Sequence, residues 1–419
     1  MNMGSVARTA ALEPFRVRSF RFQWPADLAT SWAIEMEVLI LGWYILVETG
    51  SVRLLVLYGA LQYLGSLIAP LFGVAGDRIG HRNLLCISRA FYAILAAALM
   101  TLALIGKLTP VPVFVIATLA GIIRPSDYVL RLALIAQTLP PGQLLGALGI
   151  SRTTNDSARI AGALVGAGAF AALGMGRAYA VVTILYVSSF LLTLGVAGTP
   201  AQDNARPPAA PTTWHDLRHA FVYVWHKPDL LGAICLAFLI NLLAYPFYLG
   251  LLPYVAKEIY SVGQIGLGYL VASFSLGALI GSILLGMNRL PLRASRTMIV
   301  AAAAWFTAVL AFAQVTNMGA GIVLLVAAGL AQSLCTTPLA AVVLRGSALE
   351  FRGRVMGIRT LAIWGLPAGL LISGPLITGI GFAATGTAYA LAGLALTLMI
   401  MLRWHAHLWR LAAPANARI

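Results

Sequence analysis

Two carboxylates lie inside an apolar stretch, SWAIEMEVLILGWYILV, that covers residues 31–47. Glu35 and Glu37 could bind and release a proton there, because burial away from water disfavours the charged form of a carboxylate. They could also be protonated packing residues, or they could bind a cationic molecule without titrating. Residues two apart project about 200° from each other on a helix, so the two carboxylates face different surfaces. At helical spacing, Ser31 and Gly42 accompany Glu35, and Thr30 and Tyr44 accompany Glu37.

Six further ionisable residues lie inside apolar stretches of the first half, namely Arg124, Asp127, Arg131, Arg152, Asp156 and Arg159. Their spacing of three or four residues lets each acid pair with an arginine on its own helix. One interpretation is a solvated, self-paired rim toward the cytoplasmic side. The other is a charge network that gates access from the cytoplasm.

The apolar stretches of the second half carry no acid, only neutral polar residues such as Asn241 and Gln332. If the protein binds protons, we therefore predict that it binds them in the first half. Glu37 is slightly favoured over Glu35 as the residue that meets a transported molecule or a proton, and Tyr44 and Asn241 are further candidates for a polar cavity.

The elements that carry these residues are predicted to be membrane-spanning helices. Of the 419 residues, 60% are hydrophobic and only 10% are charged, and the mean hydropathy is +0.89. Continuous apolar runs of about 20 residues favour helices over a barrel, whose strands alternate apolar and polar residues. We predict an all-α membrane protein with twelve spans, over residues 26–47, 54–75, 84–106, 111–136, 146–172, 178–197, 230–252, 266–287, 297–315, 318–342, 356–378 and 382–403.

The net charge of +15 follows the predicted spans and does not indicate a nucleic-acid partner. Arginines cluster before the first span and after the second, sixth, eighth, tenth and twelfth spans. The opposite loops carry only Arg53, Lys107, Arg177 and Lys257. This asymmetry is the positive-inside pattern, and it predicts that both termini are cytoplasmic in a multi-pass protein of the inner, or plasma, membrane.

The longest polar interruption divides six spans from six. We predict a cytoplasmic N-terminal segment (1–25), a six-helix bundle (26–197), a cytoplasmic hinge (198–229), a second six-helix bundle (230–403) and a cytoplasmic tail (404–419). Within the hinge, 214–227 has the apolar spacing of an amphipathic helix that lies on the membrane surface.

A short motif, GVAGDRIGHRNLL, occupies residues 73–85 between the second and third spans. It combines Gly73, Asp77, Arg78, Gly80 and Arg82, and it resembles the signature of the major facilitator superfamily. The resemblance extends over 26–404 and implies a fold of two pseudo-symmetric six-helix bundles. It further implies that Asp77 and Arg78 act as a conformational latch, and that the first span borders a central cavity. His81 stands where the superfamily has a basic residue.

Three later segments, 215–231, 267–286 and 351–376, resemble the bacterial efflux branch that includes drug, macrolide and siderophore exporters. The implied function is a monomeric, proton-coupled antiporter that exports small amphipathic molecules, with the lipid bilayer as its environment. An exporter of siderophores or lipid-like molecules is an alternative, and so is a membrane sensor that transports nothing. An enzyme is disfavoured, because catalytic residues at catalytic spacing are not evident in the sequence. We predict neither a cofactor nor a metal, and Cys86, Cys235 and Cys335 show no paired spacing.

Overall fold

The structure is a computed structural model, and it describes residues 13–66, 68, 72, 75–76, 78–197, 214–286, 293–348, 351–405 and 409. Within these ranges the regular elements are helices, and no strand occurs. The predicted all-α class is therefore confirmed. The chain divides into two compact units, Met1–Pro208 with Ser261–Ala272, and Ala209–Tyr260 with Ser273–Ile419.

The first unit contains five helices that precede residue 208. They are α1 (Arg18–Thr49), α2 (Val52–Leu61), α3 (His81–Leu104), α4 (Pro110–Thr138) and α5 (Pro141–Leu194). Helix α5 covers both the fifth and the sixth predicted span, and Gly174 interrupts its helical geometry with a φ of 75°. Only glycine adopts a positive φ of this size readily, so the helix can kink at this residue.

The second unit contains the remaining helices, of which α8 contributes residues to both units. They are α6 (Trp214–Trp225), α7 (Pro228–Leu243), α8 (Gln264–Gly286), α9 (Ala294–Gln314), α10 (Met318–Gly346), α11 (Arg352–Leu361), α12 (Gly365–Ile380) and α13 (Phe382–Arg403).

Nine helices among the described residues are long and apolar enough to cross a membrane. The difference from twelve has identifiable causes. The helix described for the second span, α2, has only 10 residues, α5 joins two spans, and α7 ends at Leu243. Beyond Leu243 the seventh span continues as short helical turns, Pro246–Leu249 and Leu252–Tyr254, and a π-helical turn, Val255–Ile259. Pro246 and Pro253 lack the amide hydrogen that a continuous helix needs.

Glycines allow pairs of helices to approach closely within each unit. In the first unit, a Cβ added to Gly166 of α5 would lie 3.0 Å from the Met36 Cα of α1, and one added to Gly162 would lie 2.9 Å from the Glu35 Cβ. Gly162 and Gly166 are four residues apart, and together they allow α5 to pack against α1, as pairs of small residues at this spacing commonly do in membranes. In the second unit, a Cβ on Gly329 of α10 would overlap the Phe274 carbonyl of α8.

Helix α6 occupies part of the segment that we predicted as an amphipathic surface helix. Its exposed apolar side chains include Phe221 and Trp225. The Tyr223 ring stacks on Phe351 with centroids 4.3 Å apart, and its hydroxyl accepts a 3.0 Å hydrogen bond from the Ala348 amide. A hydrogen bond from Lys227 lowers the pKa of the Tyr223 hydroxyl below its ordinary value. These contacts hold α6 against the segment that joins α10 to α11.

Candidate buried charge site of the first unit

Glu37 forms a buried ion pair with an arginine of another helix. Glu37 is 3% exposed, and its Oε2 pairs with Nη2 of Arg124. Arg124 is the middle residue of α4, fifteenth of 29, so its guanidinium emerges far from either helix end. The Tyr186 hydroxyl donates a 2.7 Å hydrogen bond to the same carboxylate oxygen, and Gln62 accepts a hydrogen bond from Nη1 of Arg124. The site thus holds one negative and one positive charge, with their hydrogen bonds largely satisfied.

Tyrosines surround this pair. Tyr58, Tyr92 and Tyr179 are each 2% exposed or less, and their hydroxyls make no hydrogen bond to any described residue. The rings of Tyr92 and Tyr186 lie 5.5 Å apart between centroids. Buried hydroxyls are nearly always hydrogen-bonded, so three hydroxyls without a partner among the described residues make this part of the unit unusually polar for a helical core.

A second buried cluster contains two acids and two arginines. Asp27 of α1 pairs with Arg89 of α3, and Asp127 pairs with Arg131 on α4. Cross-contacts join these pairs, at 3.6 Å between Arg131 Nε and Asp27 Oδ1 and at 3.9 Å between Arg89 Nε and Asp127 Oδ1. The cluster is neutral overall, which lowers the cost of keeping four charges away from water.

The interpretation of Asp127 and Arg131 as a solvated rim is therefore wrong. Both are buried, at 2% and 4% exposed. Their pairing at a spacing of four is confirmed, but α1 and α3 cover them. Spacing along one helix indicates which residues can pair, and it carries no information about which neighbouring helix covers them.

Glu35 and the residues of α5 form a more exposed group. The Glu35 Oε1 lies 3.4 Å from Arg159 Nε, with side chains 25% and 41% exposed. Arg152 and Asp156 pair at 3.4 Å, as their spacing predicts, and the Arg152 side chain is 58% exposed. Glu35 thus meets Arg159 in the part of α5 that precedes Gly174. Glu37 instead meets Arg124 of α4 and Tyr186 in the part of α5 that follows Gly174, which agrees with the opposed directions of the two carboxylates.

Other predicted residues lie away from this site. Tyr44 is buried, and its hydroxyl donates a 3.0 Å hydrogen bond to the Leu108 carbonyl. Asn241 belongs to the second unit and bonds the Ala237 carbonyl of its own helix at 2.8 Å. Thr30 contacts the Ser189 hydroxyl. Among the described residues, none of these three side chains hydrogen-bonds to Glu37. Thr30 and Tyr44 on α1 thus serve contacts separate from that of Glu37.

The loop motif is described only in part. Gly73 and Asp77 lie outside the described residues. Arg78 is exposed, and Gly80 has a φ of 92°, which allows the chain to turn into α3. Arg82 donates a 2.6 Å hydrogen bond to the Leu194 carbonyl at the end of α5, and His81 lies 3.0 Å from the Gln137 amide of α4. The described part of the motif therefore ties the start of α3 to two other helices.

Sequence reasoning missed several residues of the two clusters. Asp27 and Arg89 lie inside predicted spans, at 26–47 and 84–106, but Arg89 follows Arg78 and Arg82 so closely that the charge pattern groups it with the cytoplasmic arginines after the second span. Asp27 precedes Ser31 and Glu35 at successive intervals of four, a spacing that could have indicated a polar face of α1. The tyrosines and Gln62 carried no comparable signal, because uncharged residues are common in buried helices.

The apolar helices and the ion pairs buried between them define an integral membrane protein that keeps charge inside its helical bundle. The family model of the Major Facilitator Superfamily matches residues 28–371. The chain belongs to this superfamily. No curated protein sequence matches it significantly.

Solved structures of low sequence identity share the fold. An auto-inhibited POT family peptide transporter has a TM-score of 0.73 at 14% identity, over 95% of this chain and 99% of that chain. The nucleoside transporter NupG gives 0.70 at 13% identity, over 93% and 99%. The human organic anion transporter MFSD10 gives 0.64 at 16% identity, over 92% and 99%.

Proposed function

We propose that the protein is a secondary active transporter that exports small amphipathic molecules, such as drug-like compounds or a secreted metabolite, and that inward proton movement drives export. Glu37 is the proposed proton carrier. The observation that carries the proposal is the contact of the buried Glu37 carboxylate with Arg124 and Tyr186. Membership of the superfamily supports transport in general, and the resemblance of 351–376 to exporters supports the direction.

A proton on Glu37 would change the contacts of three helices. The neutral carboxylic acid attracts Arg124 less strongly, so α4 loses an ion pair to α1, and Arg124 keeps its bond to Gln62 just beyond α2. A charge left without its partner inside a membrane protein is costly, so protonation favours an arrangement in which Arg124 reaches water or an anion. Proton binding is thereby linked to a conformational preference.

The driving force is adequate for such a step. One proton that moves inward gains about 2.3 kcal/mol for each 100 mV of membrane potential, to which a pH gradient adds. That gain corresponds to roughly a 50-fold concentration ratio of an uncharged exported molecule at equilibrium, since every 1.4 kcal/mol is a factor of ten.

The test is efflux from proteoliposomes with an imposed pH gradient, using a panel of amphipathic fluorescent compounds. Glu37→Gln keeps the shape and hydrogen bonds of the side chain but cannot titrate, so we expect pH-driven efflux to fall at least tenfold. Counterflow, which needs no proton gradient, should persist. Glu48→Gln is the matched control, because Glu48 is an exposed residue near the end of the same helix.

Glu35 provides the competing assignment within the same function. Its greater exposure gives protons easier access, and Arg159 supplies a counter-charge. Loss of pH-driven efflux in Glu35→Gln but not in Glu37→Gln would transfer the role to Glu35. Unchanged efflux in both variants would refute proton coupling through α1, and lack of flux for any compound would favour the non-transporting sensor.

A further inference from the structure

Helix α6 carries apolar side chains that the rest of the described chain leaves exposed. Phe221, Val222 and Trp225 are between 48% and 63% exposed. Their spacing of one, three and four residues places them on one side of the helix. Arg218 is exposed as well, and it lies on the same side, three residues before Phe221 and four before Val222. This outer face of α6 therefore combines a large apolar area with a cation.

The opposite side of α6 is held by the protein. Val224 is buried, and the Tyr223 hydroxyl accepts its hydrogen bond from the Ala348 amide. The Lys227 ammonium donates a 3.1 Å hydrogen bond to the Gly346 carbonyl at the end of α10, and it lies 4.7 Å from the centre of the Tyr223 ring. These contacts determine which side of the helix faces outward.

The position of α6 in the chain places the outer face beside lipid. Only His226 and Lys227 separate α6 from α7, the first helix of the predicted seventh span, so α6 lies near the level of the lipid headgroups. Tryptophan and other large apolar side chains are typical of helices that lie in this interface. The preceding segment, 198–213, contains no aromatic residue and no Leu, Ile, Val or Met, so it lacks the side chains that could cover the face.

The charges around the outer face favour an anionic lipid. Arg218 of α6, Arg345 of α10 and Arg354 of α11 are all exposed, and α6 contacts both α10 and α11. Among the acids near them, Asp229 is half-buried at the start of α7. Basic residues beside an amphipathic helix attract phospholipids whose headgroups carry a net negative charge.

We propose that Arg218, Phe221, Val222 and Trp225 form a binding surface for anionic phospholipid. The apolar side chains pack among the acyl chains, and Arg218 binds the headgroup. Lipid on this side and the contacts of Tyr223 on the other then hold α6 in place where α7 begins. The surface belongs to the second unit, whereas the buried charge site belongs to the first, and lipid binding requires neither a particular cargo nor proton coupling.

A fluorescent label on α6 measures which lipid lies against it. Val222→Cys is introduced into the full chain, in which alanine replaces the native cysteines, and is labelled with bimane. The protein is reconstituted in mixtures of phosphatidylcholine and phosphatidylglycerol, in which one lipid or the other carries a nitroxide near the headgroup end of its acyl chain. Quenching of the bimane gives the relative affinity of the two lipids for this surface. We expect phosphatidylglycerol to bind at least about fivefold more tightly.

Arg218→Gln tests the role of the cation. It should lower the preference for phosphatidylglycerol about fivefold, which is the factor that one basic residue near an anionic surface typically contributes. Arg403→Gln is the matched control, because it removes the same charge from an exposed arginine at the end of α13. This control should keep the preference of the unsubstituted protein.

Three results would overturn the proposal. They are equal affinity for the two lipids, a preference that Arg218→Gln leaves undiminished, and a label that neither lipid quenches. The last result would mean that protein, either another segment of this chain or a second copy, covers the outer face.

Thermal unfolding of the wild type in detergent decides the matter if the protein without cysteines does not fold. Added phosphatidylglycerol should then raise the unfolding temperature more than phosphatidylcholine does, and Arg218→Gln should remove the difference. Equal shifts from the two lipids in the wild type would contradict the proposal.

Discussion

Glu37 and Arg124 show how an ion pair can be kept inside a membrane protein at acceptable cost. Each charge loses its water, and the loss is offset by the partner, by the Tyr186 hydroxyl and by Gln62. Removal of one partner leaves the other charge buried and unpaired, which is far more costly than removal of both. A single substitution in the pair should therefore lower the free energy of unfolding more than the double substitution does.

From this asymmetry we expect Arg124→Gln to lower the free energy of unfolding by about 3–5 kcal/mol. The double variant Glu37→Gln with Arg124→Gln should recover most of that loss, because two neutral amides can hydrogen-bond to each other. Urea unfolding of the purified protein in detergent, followed by tryptophan fluorescence, measures the free energy of unfolding of the single and the double variant.

Arg152→Gln is the control for the Arg124 substitution, since its pair with Asp156 is exposed. Exposed pairs contribute about 0–1 kcal/mol, so this variant should unfold almost as the wild type does. A similar loss in Arg124→Gln and Arg152→Gln would mean that the buried pair contributes no more than an exposed one.

The charged residues of the site were partly predictable. Glu37 and Arg124 stand out in the sequence because ionisable residues are rare inside apolar runs. Their pairing could not be predicted from the sequence, because packing between segments far apart in the chain decides which helices contact α1. The buried tyrosines stayed unpredicted for a different reason, since an uncharged polar residue costs too little in a helix to be conspicuous.

At the scale of helices, the approach of α5 to α1 depends on Gly166. A Cβ at this position would lie 3.0 Å from the Met36 Cα, so a methyl group requires the backbone of α1 to shift by a few tenths of an ångström. Gly168 lies two residues further along the same helix with open space around it. The two glycines differ in what they face, although the sequence around them looks alike.

We expect Gly166→Ala to lower the thermal unfolding temperature of the detergent-solubilised protein, because the added methyl group pushes α5 from the backbone of α1. Gly168→Ala should leave it unchanged or raise it slightly, since alanine favours a helix over glycine by about 1 kcal/mol. Equal shifts in the two variants would show that helix propensity, and not close packing, decides the effect.

The helices also show how much of a helical membrane fold hydropathy can predict. Apolar runs of sufficient length located α3, α4, α9, α10 and α13, because a membrane-spanning helix must be continuously apolar. Apolar runs carry less information about where a helix is interrupted. The break at Gly174 lies in the gap between the predicted fifth and sixth spans, so hydropathy located it. Pro246 interrupts the predicted seventh span inside an apolar segment, and hydropathy gave no sign of it.

For the whole molecule, orientation in the membrane follows from where the positive charges lie. Arg78 precedes α3 and Arg82 lies in its first turn, whereas Lys107 is the exposed cation of the turn that follows α3. Cationic loops are retained in the cytoplasm during insertion. Opposite ends of α3 should therefore be accessible from opposite sides of the membrane.

Cysteine labelling in whole cells measures this orientation. The native cysteines are buried or half-buried, so their replacement by alanine gives a background for single new cysteines. We expect Lys107→Cys to react with a membrane-impermeant maleimide in intact cells, and Ala209→Cys, between the two six-span halves, to react only after permeabilisation. The reverse pattern would invert the topology. It would also contradict the proposed function, because a proton gradient would then act on the proposed carrier Glu37 in the direction of uptake instead of export.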